Sequence, residues 1–264
     1  MSTVGTFTLI RNEARWIKAH LLSWLPNVDE QVFFDGNSTD GTIEIIEDIA
    51  KSHPFGHRIK LFKSRDCADL DSDYQIVFND CLRSLTTDYA IFAHPDMLLD
   101  EPGNIGFLGD AVAYTASMRS FAGEPDGQLY EIKTGRAESW KNIYRLHNPD
   151  LGLHYYGAYG SQNEDCYFSK ITGNEHRYRG TDYASYPYEV KDSGIKISHF
   201  SDVRTKERRI DRMVKCLRNQ GKTAEEAALI AQIHPRVTLK NSHGFTFELC
   251  DYPKSLKIKG EALA

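Results

Sequence analysis

Cysteine is scarce and scattered in this 264-residue chain: Cys67, Cys81, Cys166, Cys216 and Cys250, with no Cys-x-x-Cys pair among them. That spacing excludes a thiolate zinc cage, and an odd number without a leader pattern points to reduced thiols in a cytoplasmic protein. Long apolar runs are missing too. None approaches the roughly 20 residues that a bilayer-crossing helix needs. The opening Met-Ser-Thr-Val-Gly-Thr-Phe-Thr-Leu-Ile has no basic-then-apolar secretion pattern. Positive charge is not in excess. Lys and Arg number 32 against 37 Asp and Glu, a net charge of −5, so no electrostatic footprint for nucleic acid is present. Two phosphate loops are also absent: Gly-x-x-x-x-Gly-Lys-Ser/Thr, and a Gly-x-Gly-x-x-Gly after the first apolar stretch. A phosphate bound here needs a metal and distributed donors instead.

What remains is an ordinary globular composition, 41% apolar and 26% charged, long enough for one large domain or two small ones. The first half alternates between two periodicities. Thr6–Ile10, Gln31–Phe34, Arg58–Phe62 and Asp88–Ala93 read as short strands. Between them, Glu13–Trp24 places Trp16, Ile17, His20, Leu21 and Trp24 on one helical face, and Pro26 stops it. Thr42–Lys51 carries an Ile43, Ile46, Ile49 stripe, with Thr39 or Asp40 as cap, and Asp73–Leu85 is a third helix. This β-α-β-α-β-α-β order predicts an α/β fold: a mostly parallel, Rossmann-like central sheet with helices on both faces.

In such a sheet, ligands bind outside the carboxyl ends of the strands. The polar residues fall at those ends: Arg11 and Glu13, then Asp35, then Arg65 and Asp66, then His94 and Asp96. Several acids at one rim repel each other unless a cation or a hydroxyl-rich ligand sits among them. The stretch Ile91–Met97, an apolar run ending His94-Pro95-Asp96, is therefore where a metal-bound phosphate is expected.

Thr8-Leu9-Ile10-Arg11-Asn12-Glu13, Phe34-Asp35-Gly36-Asn37-Ser38-Thr39-Asp40-Gly41-Thr42 and His94-Pro95-Asp96 together resemble the family 2 glycosyltransferases of GT-A fold. The second of these stretches is similar to the family's Asp-Asp-Gly-Ser-Thr-Asp-Gly-Thr signature, and the third falls where its Asp-x-Asp is expected. The resemblance implies a nucleotide-sugar-binding half over 1–100 and an acceptor-side half over 101–200. A helical extension, 201–264, would pack on the same domain. It implies that Asp35 accepts hydrogen bonds from the base or ribose and that Asp66 lies near the base. Asp96 would hold Mn2+ or Mg2+ across the donor diphosphate, His199 would complete the metal site, and Arg204 would reach the diphosphate. His94 departs from the family pattern, which has Asp there; it faces ribose or sugar, or the metal is held by fewer carboxylates.

The second half is less periodic. Ala111–Phe121, Leu129–Lys133, Lys141–Leu146, Gly194–Phe200 and Phe245–Leu249 read as strands, and Leu151–Gly160 is dense in aromatics. Ser161-Gln162-Asn163-Glu164-Asp165 leads into Cys166–Ile171, read as a helix whose first turn favours acids. The resemblance makes Asp165 the general base for the acceptor hydroxyl, with Glu164 as second candidate, and an inverting course. Asp202–Gln220 has helical spacing at Ile210, Met213, Val214 and Leu217, with a basic face over 204–215 that is solvated or meets an acidic partner or membrane surface. The expected activity is transfer of a sugar from a nucleotide-diphosphate donor to a glycan or other hydroxyl acceptor, without nucleic acid. The alternatives are a catalytically silent GT-A-like binding module and a sugar-nucleotide nucleotidyltransferase.

Overall fold

The computed structural model describes residues 1–63, 70–109, 111, 113–123, 129–133, 139–145, 151–156, 165–170, 190–203 and 246–249, with isolated positions between 205 and 226. Its elements run β1 (Val4–Ile10), α1 (Ala14–Trp24), β2 (Glu30–Asp35), α2 (Thr42–Ser52), β3 (Ile59–Lys63), α3 (Leu70–Ser84), β4 (Tyr89–Phe92) and β5 (Met97–Glu101). Then come β6 (Ala113–Gly123), β7 (Leu129–Lys133), β8 (Ser139–Arg145), β9 (Leu151–Tyr156), β10 (Asp165–Lys170), β11 (Val190–Val203) and β12 (Thr246–Leu249).

The first half is the alternation expected. β3, β2, β1 and β4 lie side by side in parallel, with Ile10 opposite Asp35 and Phe7 opposite Phe92. Successive side chains of a strand point to opposite faces, and each face has its own cover. Phe7, Val32, Ala90 and Phe92 meet Phe78, Cys81 and Leu82 of α3 and Leu85 just beyond its end. Ile10 and Phe33 meet Ile17, Leu21 and Leu25 of α1 and its end, together with Ile46 and Ile49 of α2. The α3 side is closed by edge-to-face rings, with Phe78 4.8 Å from both Phe7 and Phe92, a geometry that adds about 1 kcal/mol per pair beyond area burial.

The second half extends the same sheet in antiparallel fashion. β8 pairs with β4, β6 with β8, β7 with β6 and β12 with β7 at the far edge. The strand expected over Phe245–Leu249 is thus β12, and it ties late chain to the main sheet. β11 joins β6 in parallel and carries β5 on its other side. It is longer than the expected Gly194–Phe200 and takes in Asp202 and Val203, so the helix expected from Asp202 cannot begin there. Helical positions occur at Glu207, Ile210 and Val214; the other positions of the expected helix, apart from 202, 203 and 205, lie outside the described residues.

A second correction concerns Cys166–Ile171. Residues Asp165–Lys170 are a strand, not a helix, and pair with β9 in a separate antiparallel ribbon, Asp165 opposite Tyr156. Tyr167 and Phe168 favour a pleated surface, and the adjacent aromatic strand offers a partner, which outweighs the short helical spacing. Among the described residues, no helix is long and apolar enough to cross a membrane.

β5 leaves the rim and returns through a turn in which Gly103, at φ +50°, lies against β11. A Cβ there would sit 2.4 Å from the Gly194 carbonyl carbon and 2.5 Å from the Ile195 nitrogen. Backbone cannot yield as a flexible side chain does, so Gly103→Ala should destabilise the protein by at least about 2 kcal/mol. Thermal unfolding followed by circular dichroism would show it as a lowered midpoint.

Candidate functional site

Two loops at the carboxyl ends of β1 and β2 are locked together. Asp35, 5% exposed at the end of β2, accepts the Ser38 backbone N–H at 3.1 Å, folding the signature loop back on its own strand. Ser38 Oγ accepts the Asn12 N–H at 2.9 Å, and Asn12 Oδ1 accepts the Thr39 N–H at 2.8 Å. Asn12 and Asn37 both sit at positive φ, 56° and 62°, a region that asparagine tolerates better than other side chains.

Asp40 completes the lock. One carboxylate oxygen accepts the Ala14 N–H at 3.0 Å, at the start of α1; the other accepts the Thr42 N–H at 3.1 Å and the Thr42 hydroxyl, at the start of α2. Thr42 Oγ1 in turn accepts the Glu13 N–H at 2.8 Å. A single carboxylate thus caps two helices, where both N-terminal dipoles favour negative charge. Desolvation is the largest influence on Asp40 and raises its pKa, but the hydrogen bonds from Thr42 and Ala14 together outweigh it and hold the carboxyl below its ordinary value. The N-cap position of α2 is Gly41 rather than the expected Thr39 or Asp40; Asp40, one residue earlier, instead takes the first helical N–H of both α2 and α1.

The second cluster forms around the turn after β4. The Met97 N–H donates to the His94 carbonyl at 2.9 Å, closing the turn over Pro95 and Asp96. Asp96 is 3% exposed. Its carbonyl accepts the Phe200 N–H at 2.9 Å, and its Oδ1 lies 3.5 Å from Nε2 of His199 on β11. The His94 ring lies parallel to that of His199, centroids 6.1 Å apart and planes at 15°, and rests edge-on against Phe92 at 4.5 Å. His94, Asp96 and His199 are therefore brought together. Behind them Phe200 is stacked between Trp16 and Phe121, at 5.0 and 4.9 Å.

Asp35 and Asp96 share one rim, as expected. β1 lies between their strands, so two strand spacings, about 10 Å, separate the strand ends. Arg11, exposed, and Glu13, half-buried, stand at the end of β1 between them. Arg65, Asp66, Glu164 and Arg204 lie outside the described residues, and Asp165 is placed by its backbone only, at the start of β10. With residues 165–170 in a strand, the helix-dipole argument for acids at 164 and 165 no longer applies.

The metal expectation can be weighed on the donors themselves. Among the described residues, no group of three or more His, Cys, Asp or Glu is placed to enclose an ion. One carboxylate and one imidazole, 3.5 Å apart, fit two adjacent ligands of one ion. Such a pair suits Mn2+ better than Mg2+, because imidazole is a softer donor, and it leaves positions for phosphate oxygens.

His20 and Trp24 belong to the apolar face expected of α1, Ser23 does not, and the polar atoms of all three engage β5. His20 Nδ1 and Trp24 Nε1 both contact the Met97 carbonyl, at 2.9 and 3.0 Å, and Ser23 Oγ accepts the Leu99 N–H at 3.1 Å. The available signal was a His and a Trp on a buried stripe, since each carries a polar atom that needs a partner. Burial pushes His20 down to about 4, against smaller opposing pulls from the Met97 carbonyl, the Asp96 charge and the His94 backbone.

No family model and no curated protein matches the chain. Solved structures similar to it include a mannosyltransferase, PcManGT from Pyrobaculum calidifontis, in complex with GDP-Man and Mn2+. That match has 15% identity and a TM-score of 0.49, over 90% of this chain and 70% of that one. Another is glucosyl-3-phosphoglycerate synthase from Mycobacterium tuberculosis with Mn2+, UDP and glucosyl-3-phosphoglycerate. Identity there is 17% and the TM-score 0.32, over 46% of this chain and 44% of that one. At TM-scores below 0.5 these likenesses add no weight to a functional reading.

Asp40→Ala removes the cap from two helices and should cost about 2 kcal/mol, twice a typical single cap, read as a lower urea midpoint at pH 7. His20 gives a pH signature. The unfolded chain protonates it near 6.5 and the folded chain only near 4, so acidification favours unfolding in that window. Stability should fall by about 2 kcal/mol between pH 7 and pH 5 through this group. Urea unfolding of the protein and of His20→Asn at both pH values would show the smaller loss in the variant.

Proposed function

We propose that the chain is a metal-dependent glycosyltransferase that moves a sugar from a nucleoside-diphosphate donor to a hydroxyl acceptor with inversion. The observation that carries this reading is the Asp96–His199 pair, nearly removed from water, on the rim that also holds Asp35. A buried acid beside an imidazole is a site for a cation, and the rim of a parallel sheet is where a nucleotide lies. The loop latched by Asp35, Asn12, Ser38 and Asp40 forms the nucleoside side of that rim.

In this reading Asp35 receives hydrogen bonds from base or ribose, with Arg11 and Glu13 alongside and Arg65 and Asp66 on the loop after β3. Asp96 and His199 hold Mn2+ or Mg2+, and Arg204 faces the diphosphate. His94, where the family has an acid, lines the ribose and sugar side. The bound ion supplies charge neutralisation for the departing diphosphate. The anomeric carbon gains oxocarbenium character as the bond to the leaving oxygen lengthens. Asp165, with Glu164 as the second candidate, takes the proton of the acceptor hydroxyl as that oxygen attacks from the opposite face. Asp165 starts β10 of a ribbon whose β9 lies against α3, so this assignment places the acceptor beside the α3 face of the sheet.

Calorimetry with GDP and with UDP, each with and without Mn2+, tests the donor site. Binding should depend on Mn2+ and weaken at least tenfold in Asp96→Ala. Asp165→Asn should lower turnover by at least about 100-fold while leaving donor affinity unchanged. Failure of both nucleotides to bind in the presence of Mn2+ would overturn the reading, and donor affinity falling in step with turnover would remove Asp165 as base.

A further inference from the structure

We propose that His20, Ser23 and Trp24 of α1 are positioning residues that hold the Asp96 turn in its ion-binding conformation, a role that rests on the donor-site reading above. The three residues occupy positions i, i+3 and i+4, so they share one helical face. That face grips β5 by its backbone. His20 Nδ1 and Trp24 Nε1 converge on the Met97 carbonyl at 2.9 and 3.0 Å, occupying both of its lone pairs, and Ser23 Oγ takes the Leu99 N–H at 3.1 Å.

Met97 is the residue after Asp96. Its N–H closes the turn on the His94 carbonyl, and two ring N–H donors on its own carbonyl anchor the chain directly after Asp96, limiting displacement of the carboxylate from His199. The Phe200 N–H on the Asp96 carbonyl, at 2.9 Å, secures the turn from the β11 side. His20 also connects the turn to the middle of the sheet. Its Nδ1 faces a carbonyl and so carries the proton; Nε2 then accepts from the Thr8 hydroxyl of β1 at 3.4 Å. The position of the turn is thereby referenced to β1, the strand between the two carboxylates.

Packing alone does not call for these side chains. His20 and Trp24 are 0% exposed, and a leucine and a phenylalanine would occupy most of that volume without the cost of burying polar atoms. The polar rings are accounted for by what they hold.

The test uses the full chain and three variants: His20→Leu and Trp24→Phe, which each remove one donor, and His20→Asn, whose amide N–H can replace Nδ1–H. Two measurements are made on each: Mn2+ affinity in the presence of GDP or UDP, from the spin-resonance signal of free Mn2+, and hydrogen exchange of residues 93–101. In His20→Leu and Trp24→Phe, Mn2+ affinity should fall at least about tenfold, as for other groups that orient a metal ligand. Exchange over 93–101 should quicken while that of β1 and β2 is unchanged. His20→Asn should restore both. Unchanged exchange and unchanged Mn2+ affinity in Trp24→Phe, the variant that keeps an aromatic ring but not the N–H, would overturn the proposal. A parent protein that binds no Mn2+ with either nucleotide would instead overturn the donor-site reading, and faster exchange in the variants would still establish the grip.

Discussion

Withdrawing a carboxylate from water is the constraint on which this end of the molecule depends. Asp96 is 3% exposed, and an ionised acid in that setting is costly unless fixed dipoles or a cation compensate it. The surroundings are arranged accordingly. The turn is closed on itself, its carbonyls are engaged from α1 and β11, and an imidazole stands at the carboxylate. The arrangement is preorganised: the backbone around Asp96 and His199 fixes the two side chains beside each other. Asp40 is the contrast: it stays exposed, and the backbone N–H groups at two helix starts hold it.

The two loops between strand and helix work as one wall. Asn12 donates to Ser38 and accepts from Thr39 across it, Thr42 reaches back to Glu13, and Asp40 binds both helix starts. Shape is therefore set jointly by residues from two separate βα units. The turn formers in Gly36–Thr42 have individual tasks: Asn37 takes the left-handed conformation, Ser38 and Thr39 bridge, and Gly41 at φ 91° carries the chain into α2.

The first half was legible because its information is local. β1 to β4 and the three helices between them each announce themselves through a period and a stop, and parallel strands then put Arg11, Glu13, Asp35, His94 and Asp96 on one rim by topology alone. What was not legible is what distant chain imposes. β5 is five residues between Pro95 and Pro102, and it is a strand because β11 pairs with it. Tyr167 and Phe168 could be placed on a short helix or on a ribbon, and only the partner β9 decides between them. The polar atoms of His20 and Trp24 were hidden by their apolar bodies, since nothing in the spacing of α1 names the carbonyl they meet. His199 came from the family resemblance, and its place beside Asp96 follows from the register of β11 on β5, with His199 opposite Met97.

That register has a consequence for how the protein comes to exist during synthesis. The β1–β2–β3 segment can collapse early, because each of its strand pairings joins neighbouring βα units, yet β5 has no strand partner among the described residues and Asp96 lacks His199 until β11 has emerged. Pairing so remote along the chain is slow, since loop closure must come first. The nascent first hundred residues thus leave the β5 edge open, and the meeting of Asp96 with His199 waits on β11.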